Sequence, residues 1–380
     1  MRVAIIGQGY VGSALGVAAS KAGHEVIGIE INPARVTALS SSVKFQVSSD
    51  YSLVSRCEVV VIAVPTPLNE KREPDLSYLQ ATCNSLQSVL RGSVLVVNES
   101  TSFPGTLRNV IAPILGDKHL YAAAPERVDP ANEKWGIENT PRLVAGLNSE
   151  ATNRASSFYK SFCSSVIEVS SPEVAEAAKL FENTFRQVNI ALVNEFAQIA
   201  NSLGISTSET LEAASSKPYG FMPFVPSIGV GGHCIPVDPS YLSFAASNAG
   251  VEARFINLAN EVNAGMPEFV VRRIKDLVNG DLKGKTIQIA GISYKAGVAD
   301  TRESPALVLI SLLKGLEAEV SWHDEVVGSW GNEASKPLFG ADIGVIATAH
   351  PGVDYGPWKN GKTMVIDVST APHTGWPKFL

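Results

Sequence analysis

The sequence predicts an α/β protein in which two strand–helix units are joined by one long helix. Three observations predict this. Short apolar runs alternate with helical segments near the N-terminus, the alternation returns from Lys285, and a helical pattern of unusual length occupies residues 174–203 between them. Strand–helix alternation of this kind produces a parallel sheet with helices on both faces.

The composition limits the classes of partner. The chain has 380 residues, enough for two or three domains, with a net charge of −6 and no run of Lys or Arg. We therefore expect no nucleic-acid partner. No apolar run reaches the roughly 18 residues of a membrane span. The N-terminus is interrupted by glycines and lacks an A-x-A site, which argues against a signal peptide.

The four cysteines are scattered along the chain without a C-x-x-C pair, at Cys57, Cys83, Cys163 and Cys234. This spacing suggests neither a zinc site nor a disulfide framework, so no metal is expected. We expect the protein to work in the reducing cytoplasm.

The first unit contains six predicted strands and a helix that ends near Ala22. The predicted strands are residues 2–6, 25–30, 58–64, 94–98, 121–124 and 142–146. In the second unit the predicted strands are residues 286–292, 319–323, 341–347 and 363–368, with a helix that begins at Ser304-Pro305.

The long helix has clear start and stop signals. Ser171, Pro172 and Glu173 fit the N-cap and first turn, and Gly204 fits a C-terminal stop. We interpret this helix as a spine between two domains that also carries an oligomer interface. Residues 217–241 are rich in Gly and Pro and predict irregular structure, and residues 253–277 predict another helix.

A glycine-rich turn with the pattern GQGYVG follows the first predicted strand, at residues 7–12. Such glycines let the backbone approach a pyrophosphate, and the helix that follows directs free N–H groups at the anion. Glu30, at the end of the second strand, would accept hydrogen bonds from a ribose and repel a 2′-phosphate, which favours NAD over NADP. Arg35 is expected on the surface of the next helix. A glycine turn without a ligand is the alternative.

Cys234 is the candidate nucleophile because it lies in an irregular, glycine-rich segment, GVGGHCIPVD at residues 229–238. Asp238, four residues later, comes within reach if the chain turns into a helix. An inert buried side chain is the usual state of a lone cysteine. Cys57, Cys83 and Cys163 fit that alternative.

Polar side chains elsewhere are weaker candidates. Lys179 and Asn183 share one face of the long helix and could stabilise an oxyanion, although a solvated face is equally compatible. Glu126 and Asp129 lie in a loop, and Glu99-Ser100-Thr101 follows a predicted strand at the carboxyl edge where ligands of open sheets bind. Loop acids are mostly solvated.

Taken together, these motifs resemble the UDP-glucose/GDP-mannose dehydrogenase family over nearly the whole chain. The likeness rests on seven ordered stretches: GQGYVG at 7–12, VPTP at 64–67, EST at 99–101, APERVDP at 124–130, KLFEN at 179–183, GGHCIPVD at 231–238, and YK at 294–295 with DTRESP at 300–305.

The resemblance implies two Rossmann-like doubly wound domains joined by a long central helix. It implies an NAD-binding domain at residues 1–172, a central dimerisation region with the cysteine loop at 173–280, and a UDP-sugar-binding domain at 281–380. It also implies a homodimer and two successive oxidations of a UDP-sugar at C6, with a thiohemiacetal and then a thioester on Cys234. The products of such enzymes usually become precursors of cell-surface polysaccharides.

The resemblance also assigns roles by motif position. The catalytic residues would be Cys234, Lys179, Asn183, Asp238, Glu126 and Thr101. Lys179 and Asn183 would stabilise the oxyanion, Asp238 would hold Lys179 or the attacking water, Glu126 would activate water, and Thr101 would position a water. The cofactor contacts would be Gly7, Gly9, Tyr10, Val11, Gly12, Glu30, Pro65, Thr66, Thr101 and Arg302. The substrate contacts would be Glu126, Arg127, Val128, Lys179, Asn183, Lys217, Tyr219, Phe221, Gly231 and Lys295.

Two details refine this assignment. The form GGHCIPVD differs from the GGSCFPKD of UDP-glucose enzymes and resembles the UDP-N-acetylhexosamine branch, with UDP-N-acetylglucosamine as the expected substrate. Relatives commonly carry Arg or Asn shortly after the aspartate near the C-terminus, where this chain has Asp367-Val368-Ser369-Thr370. Arg302 has an alternative role as a surface partner of Asp300 or Glu303.

Three alternatives stay open at the level of the sequence. The first is the same chemistry on UDP-glucose or another UDP-sugar. The second is a two-electron hydroxy-acid dehydrogenase, which would not need Cys234. The third is a non-catalytic regulator that binds NAD or a nucleotide sugar, a class that has no use for the set Cys234, Lys179, Asn183 and Asp238.

Overall fold

The computed structural model describes residues 1–128, 132, 134–359, 361–372 and 374–380. The candidate Asp129 lies outside the described residues. The chain divides into two compact units. The first comprises Met1–Glu182 and Ser240–Glu252, and the second comprises Asn183–Pro239 and Ala253–Leu380.

The described part of the first unit forms an eight-stranded sheet with the order β3-β2-β1-β4-β5-β6-β7-β8. The strands are β1 (Arg2–Ile6), β2 (Glu25–Ile29), β3 (Gln46–Ser48), β4 (Val59–Ile62), β5 (Leu95–Asn98), β6 (Leu120–Ala123), β7 (Arg142–Gly146) and β8 (Val166–Glu168). All six predicted strands are present within two residues of their predicted limits. The short β3 and β8 were not predicted.

Alternate residues of the central strands enter two separate cores, one on each face of the sheet. In β4, for example, Val60 and Ile62 pack into one cluster, and Val59 and Val61 pack into the other. Helices cover both faces: α1 (Tyr10–Lys21), α2 (Pro33–Ser40), α3 (Ser77–Val89), α4 (Ala112–Leu115) and α5 (Ser149–Lys160). A strand that is buried on both faces reads as a continuous apolar run, which explains why the sequence revealed it.

The expectation of a uniformly parallel sheet was wrong for two strands, because β7 and its parallel neighbour β8 run opposite to the other six. β7 pairs antiparallel with β6, with Ala123 opposite Ala145. The described residues between these two strands contain no helix, and a parallel partner would need a crossover connection. The antiparallel direction places the start of β7, at Arg142, beside the carboxyl ends of β5 and β6.

The long helix is a single element, α6 (Pro172–Leu203), of 32 residues. The Ser171 hydroxyl accepts a hydrogen bond from the Val174 amide at 3.4 Å, as predicted for an N-cap. Gly204 has a φ of +69°, as predicted for the residue that ends the helix.

Two shorter helices follow, α7 (Thr207–Ser215) and α8 (Asp238–Asn248). The prediction that residues 217–241 are irregular was wrong for the last four, because α8 already begins at Asp238. An acidic residue and a proline in the first turn favour a helix start, and Asp238-Pro239 supplies both.

The second unit contains a four-stranded parallel sheet with the order β10-β9-β13-β14 among its described residues. Its elements are α9 (Arg254–Leu277), β9 (Thr286–Ala290), α10 (Pro305–Gly315), β10 (Glu319–His323), the unpredicted hairpin β11 (Ser329–Trp330) and β12 (Glu333–Ala334), β13 (Ile343–Ile346) and β14 (Met364–Asp367). α9 and α10 pack on this sheet in one core that includes Val270, Leu309 and Ile289.

In the described ranges, none of the helices combines the length and apolar character that a membrane crossing needs. Within the same ranges, no group of three or more His, Cys, Asp or Glu side chains is arranged to hold a metal ion.

Candidate active site

The glycine-rich turn between β1 and α1 is shaped by close backbone approaches. A Cβ atom at Gly7 would lie 2.4 Å from the Ala63 carbonyl oxygen, and one at Gly12 would lie 1.9 Å from the Gly7 carbonyl oxygen. A Cβ at Gly9 would meet nothing within 4 Å. Gly7 and Gly12 therefore serve the packing of the turn, whereas Gly9 leaves an open approach to the N-terminus of α1, which begins at Tyr10 and Val11. This arrangement fits a dinucleotide pyrophosphate.

A carboxylate and a guanidinium flank this turn. The Glu30 carboxylate accepts hydrogen bonds from the amides of Gln8, at 3.1 Å, and Asn32, at 2.9 Å. Arg35 lies on α2, as expected, but its Nε donates to the Gln8 carbonyl oxygen at 2.5 Å. The sequence did not predict that the Arg35 side chain would bond to the glycine-rich turn. Glu30 is held where it can receive ribose hydroxyls.

The loop after β4, which contains Pro65 and Thr66, is held from two directions within the first unit. The Ser100 hydroxyl accepts from the Val64 amide and donates to the Val64 carbonyl, both at 2.9 Å. The buried Tyr241 of α8 donates its hydroxyl proton to the Thr66 carbonyl at 3.0 Å. Sequence reasoning missed Tyr241, because only its place on α8 reveals that it faces this loop.

Thr101 and Glu126 follow β5 and β6, which are neighbours in the sheet. Asn98 pairs with Ala123 at the ends of these strands, so both loops leave the same carboxyl edge. Glu126 is buried, and its carboxylate accepts a hydrogen bond from the Val128 amide. The structure therefore brings the predicted base and the predicted water-positioning residue to adjacent strand ends.

Arg127 already has protein partners. Its guanidinium donates two hydrogen bonds to the Glu182 carboxylate on α6, at 3.0 and 2.5 Å, and one to the Pro141 carbonyl at 2.9 Å. These contacts fix the loop that carries Glu126 and Val128 against the long helix. The predicted contact of Arg127 with substrate stays a prediction.

Lys179 is buried on α6 in the first unit, with 9% of its surface exposed. Its ammonium acts on the Glu99 carboxyl. Burial raises the pKa of Glu99, while the charges of Arg142 and Lys179 and a hydrogen bond from Tyr159 oppose that rise. Lys179 is thus a cation held inside the protein, as an oxyanion-stabilising group requires.

In the second unit, Asn183 and Asp238 are directly bonded. The Asn183 amide nitrogen donates to the Asp238 carboxylate at 2.6 Å, and Asp238 is fully buried. The Asp238 amide also donates to the Cys234 carbonyl at 2.8 Å, which confirms that the chain turns into a helix directly after the cysteine. The predicted relation of Asp238 to Lys179 or to a water stays a prediction.

Cys234 differs from the three other cysteines in accessibility. It is partly exposed, whereas Cys57, Cys83 and Cys163 are buried, and all four are free thiols. Burial raises the pKa of Cys57 to about 11 and that of Cys83 to about 12. Burial likewise raises the pKa of Cys163. Only Cys234 therefore meets the requirement that a nucleophile be reachable.

The glycines before Cys234 allow its loop to pack closely on the segment that follows β9. A Cβ at Gly231 would lie 2.7 Å from the Tyr294 Cβ, and one at Gly232 would lie 2.8 Å from the Tyr294 ring. The Gly232 amide donates to the Arg302 carbonyl at 2.9 Å. Gly231 thus has a structural reason to be glycine, and its predicted contact with substrate stays a prediction.

Arg302 pairs with Asp300, as the alternative interpretation proposed. Its guanidinium makes three contacts with the Asp300 carboxylate, at 2.5 to 3.0 Å, and its Nη2 donates to His233 Nδ1 at 3.2 Å. Because arginine only donates, His233 Nδ1 is the acceptor, and a neutral ring then carries its proton on Nε2. Arg302 therefore lies beside the cysteine loop, and its contact with the cofactor stays a prediction.

The remaining predicted substrate contacts lie at the surface of the second unit. Lys217 Nζ is 4.9 Å from the centre of the Tyr219 ring, and Tyr219 and Phe221 are exposed. The Lys295 carbonyl accepts from the Ser293 hydroxyl at 3.1 Å. The predicted contacts of these residues with substrate stay predictions.

The C-terminal segment satisfies its aspartate internally. Asp367 is fully buried and accepts from the Ser369 amide at 2.9 Å, Thr374 Oγ1 at 2.5 Å and Lys378 Nζ at 2.7 Å. Lys378 therefore supplies a positive charge to this aspartate. A cavity of about 180 Å³ lies beside it, bounded by α7, residues 223–226 and the C-terminal segment.

The position of Glu30 predicts the dinucleotide preference. In Glu30→Gln, the lost negative charge should remove the repulsion of a 2′-phosphate while Arg35 remains beside it. We expect the NAD/NADP ratio of kcat/KM to fall about tenfold or more. Glu25→Gln, an exposed change at the other end of β2, is the matched control and should leave the ratio unchanged. An unchanged ratio in Glu30→Gln would contradict this role.

The exposure of Cys234 predicts selective alkylation. Iodoacetamide should modify one thiol per native chain, and peptide mass spectrometry should locate it at Cys234, because the other three are buried with raised pKa values. Cys234→Ser should take up no label until the chain is unfolded. Faster labelling of any buried cysteine than of Cys234 would show the assignment to be wrong.

Comparisons with known proteins agree with this geometry. Residues 1–163, 173–265 and 288–372 match the NAD-binding, central and UDP-binding domains of the UDP-glucose/GDP-mannose dehydrogenase family. A UDP-N-acetyl-D-mannosamine dehydrogenase of Pyrococcus horikoshii is 34% identical over 96% of this chain and 93% of its own length. A UDP-N-acetyl-D-glucosamine 6-dehydrogenase of Pseudomonas aeruginosa is 31% identical over 92% and 90%.

A solved structure shows that a relative has the same fold. The structure of a UDP-D-ManNAc dehydrogenase from Pyrococcus horikoshii superposes with a TM-score of 0.88 at 31% identity, covering 99% of this chain and 98% of that one. The predicted fold class and NAD cofactor are confirmed. The chain therefore belongs to the UDP-glucose/GDP-mannose dehydrogenase family and is an NAD-dependent UDP-sugar dehydrogenase.

Proposed function

We propose that this enzyme oxidises the C6 hydroxymethyl group of a UDP-N-acetylhexosamine to a carboxylate, in two successive oxidations on Cys234. The observation that carries the proposal is the state of that thiol. It is the accessible cysteine of the four, and it lies four residues before Asp238, the first residue of α8, which is bonded to Asn183. A two-electron hydroxy-acid dehydrogenase would have no use for this arrangement.

The chemistry balances with one thiol and two equivalents of cofactor. NAD, when bound, accepts a hydride from the substrate carbon. Loss of a proton and a hydride from C6–OH gives an aldehyde, and the Cys234 thiolate adds to it to form a thiohemiacetal. Loss of the thiohemiacetal's hydroxyl proton and of a second hydride from C6 gives the thioester, and water cleaves it to the acid and the free thiol. The covalent link prevents the aldehyde from escaping between the oxidations.

The surrounding residues serve the charges and protons of these steps. Lys179 and Asn183 stabilise the oxyanion of the tetrahedral species, and Asp238 orients the Asn183 amide through the 2.6 Å hydrogen bond. Glu126 takes the proton of the attacking water, and Thr101 positions that water. These assignments agree with the burial of Lys179, Asp238 and Glu126, because preorganised charges act more strongly when water is excluded.

The choice of sugar follows from the sequence around the nucleophile and from the relatives. The stretch His233-Cys234-Ile235-Pro236-Val237 differs from the form typical of UDP-glucose enzymes. The two relatives described above are named for UDP-N-acetyl-D-mannosamine and UDP-N-acetyl-D-glucosamine. Both sugars carry a 2-acetamido group, and the proposal is for this class. Sequence reasoning expected the gluco epimer, and the relatives support either.

A substrate panel tests the proposal. We expect two NADH per sugar oxidised and a higher kcat/KM with UDP-N-acetylglucosamine or UDP-N-acetylmannosamine than with UDP-glucose. Cys234→Ser should form no acid, with Cys163→Ser as the control for a buried thiol. If kcat/KM with the N-acetylated sugars exceeds that with UDP-glucose by about twofold or less, the proposed substrate class is wrong. One NADH per sugar, or acid formation by Cys234→Ser, would remove the mechanism.

We also propose that the protein is a homodimer with α6 in the interface, and that it is organised as an NAD-binding domain at 1–172, a central region at 173–280 and a UDP-sugar-binding domain at 281–380. Large apolar side chains lie exposed along one face of α6, at steps of four and seven residues: Val174, Phe181, Phe185, Leu192, Ile199 and Leu203. Such a stripe is typical of an interface, and a twofold axis would pair it with itself.

Light scattering coupled to size-exclusion chromatography tests the dimer. The wild type should elute with twice the chain mass of 40.3 kDa, and Leu192→Glu should shift it toward the monomer because a charge would be buried at the centre of the stripe. Asn201→Glu, an exposed change on the same helix away from the stripe, is the control. A monomeric wild type, or a dimeric Leu192→Glu, would contradict the proposed interface.

A further inference from the structure

A buried ion pair in the first unit has no place in the chemistry described above. The side chains of Glu99 and Arg142 have exposures of 0% and 3%, and Arg142 Nη1 lies 3.3 Å from Glu99 Oε2. The buried Tyr159 on α5 donates its hydroxyl proton to Glu99 Oε1 at 2.5 Å. The Arg142 guanidinium also lies 5.1 Å from the centre of the Tyr159 ring.

Such a cluster is costly to bury, so its location matters. Removing two charges from water is unfavourable unless close partners replace the solvent. Burial raises the pKa of the Glu99 carboxyl, and the guanidinium of Arg142 opposes this rise. The short bond from Tyr159 fits a hydroxyl that donates to a carboxylate. Tyr159 satisfies Glu99 Oε1, whereas Glu99 Oε2 accepts no hydrogen bond and faces only the charge of Arg142 at 3.3 Å.

Strand direction places this cluster beside both catalytic loops of the first unit. Glu99 directly follows β5, two residues before Thr101. Arg142 begins β7, whose antiparallel direction brings its first residue to the carboxyl edge where β5 and β6 end. Tyr159 reaches the same point from α5, one of the helices that cover the sheet.

Arg142 bridges the two loops directly. The same Nη1 that faces Glu99 donates to the Ala124 carbonyl at 3.2 Å. Ala124 lies two residues before Glu126, and its amide donates to the Asn98 carbonyl at 2.9 Å. One guanidinium thus contacts the residue after β5 and the residue after β6, and the spacing between the loops depends on its position.

We propose that Glu99, Arg142 and Tyr159 are positioning residues that set the distance between Thr101 and Glu126 and so align the water that cleaves the thioester on Cys234. This inference rests on the proposed function, because it assigns the cluster to the hydrolytic step of that mechanism. The three side chains act through the two loops and do not touch the reacting atoms.

The sharpest variant is Tyr159→Phe, which removes one hydroxyl and keeps the ring beside Arg142. Glu99 then loses its shortest hydrogen bond, and the loop that carries Thr101 loosens. Errors of about 1 Å in alignment can cost about 100-fold in rate, so we expect steady-state kcat to fall between about 10- and 100-fold. KM for NAD and for the UDP-sugar should stay within about threefold, because the substrate contacts remain.

The matched control is Tyr121→Phe. Tyr121 is also buried in the first unit, and its hydroxyl donates to the Gly116 carbonyl at 2.5 Å, near the start of β6 and thus at the opposite edge of the sheet. The same atom is removed from the same domain, away from the two catalytic loops. We expect kcat to remain close to the wild-type value.

A pre-steady-state measurement separates positioning from a general loss of stability. Tyr159→Phe should release its first two NADH in a burst at nearly the wild-type rate and then turn over slowly, with a sugar adduct on Cys234 that intact-protein mass spectrometry detects. Unfolded chains would expose all four thiols to iodoacetamide, so burst amplitudes are compared only in preparations that take up one label per chain. If Tyr159→Phe does not fold, Arg142→Lys is tested instead. This change keeps the positive charge but removes the planar guanidinium with its several N–H donors.

The outcomes are distinct. A wild type that forms no NADH with any UDP-N-acetylhexosamine overturns the proposed function. A wild type that turns over, beside a Tyr159→Phe variant with unchanged kcat and no adduct, overturns the positioning role alone. A slowed burst in Tyr159→Phe, or an equal loss of kcat in Tyr121→Phe, also overturns it, because the defect would then not belong to the hydrolytic step.

Discussion

The direction of the strands is the constraint on which the functional residues of the first unit depend. Parallel strands end at one edge, so the residues that follow them converge without any long-range signal in the sequence. The glycine turn follows β1, Glu30 follows β2, and Thr101 and Glu126 follow β5 and β6. The one reversal, at β7, adds a residue to that edge from the opposite direction, because a strand that runs back from the edge begins there. Arg142 is that residue.

A buried carboxylate on α6 holds the loop that follows β5 at this edge of the sheet. Glu176 on α6 accepts hydrogen bonds from Ser102 Oγ at 3.2 Å and from the amides of Gly105 and Leu107 at 2.7 and 3.0 Å. Burial nevertheless raises the pKa of Glu176 to about 7. A carboxylate without such donors would cost several kcal/mol more, since it would exchange water for hydrocarbon. The segment after Thr101 is therefore fixed by a side chain of the long helix, and Arg127, the neighbour of Glu126, is bonded to Glu182 of the same helix.

Local patterns in the sequence predicted the elements that depend on local causes. Continuous apolar runs gave the central strands, Ser171 and Gly204 gave the ends of α6, and the glycine pattern gave the turn at residues 7–12. The antiparallel direction of β7 and the hydrogen bonds of Arg35 and Tyr241 were not predicted, because each depends on a partner at least 20 residues away in sequence. Cys234 was found because its glycine neighbours distinguish it. The sequence identified Glu99 as part of a motif but did not predict that its side chain is buried.

The charges beside the cysteine loop also come from residues distant in sequence, Asp300 and Arg302. A hydrogen bond from Arg302 to Asp300 is the largest cause that raises the pKa of the guanidinium, and the charge of Cys234 acts in the same direction. The Arg302 guanidinium is therefore a positive charge held beside the loop that carries Cys234. Asp300 neutralises much of the charge that Arg302 presents. The loop glycines permit this approach, since a side chain at Gly231 or Gly232 would collide with Tyr294 and push the loop away from the cation. The glycines before Cys234 therefore allow its loop to approach Arg302 while the thiol stays partly exposed.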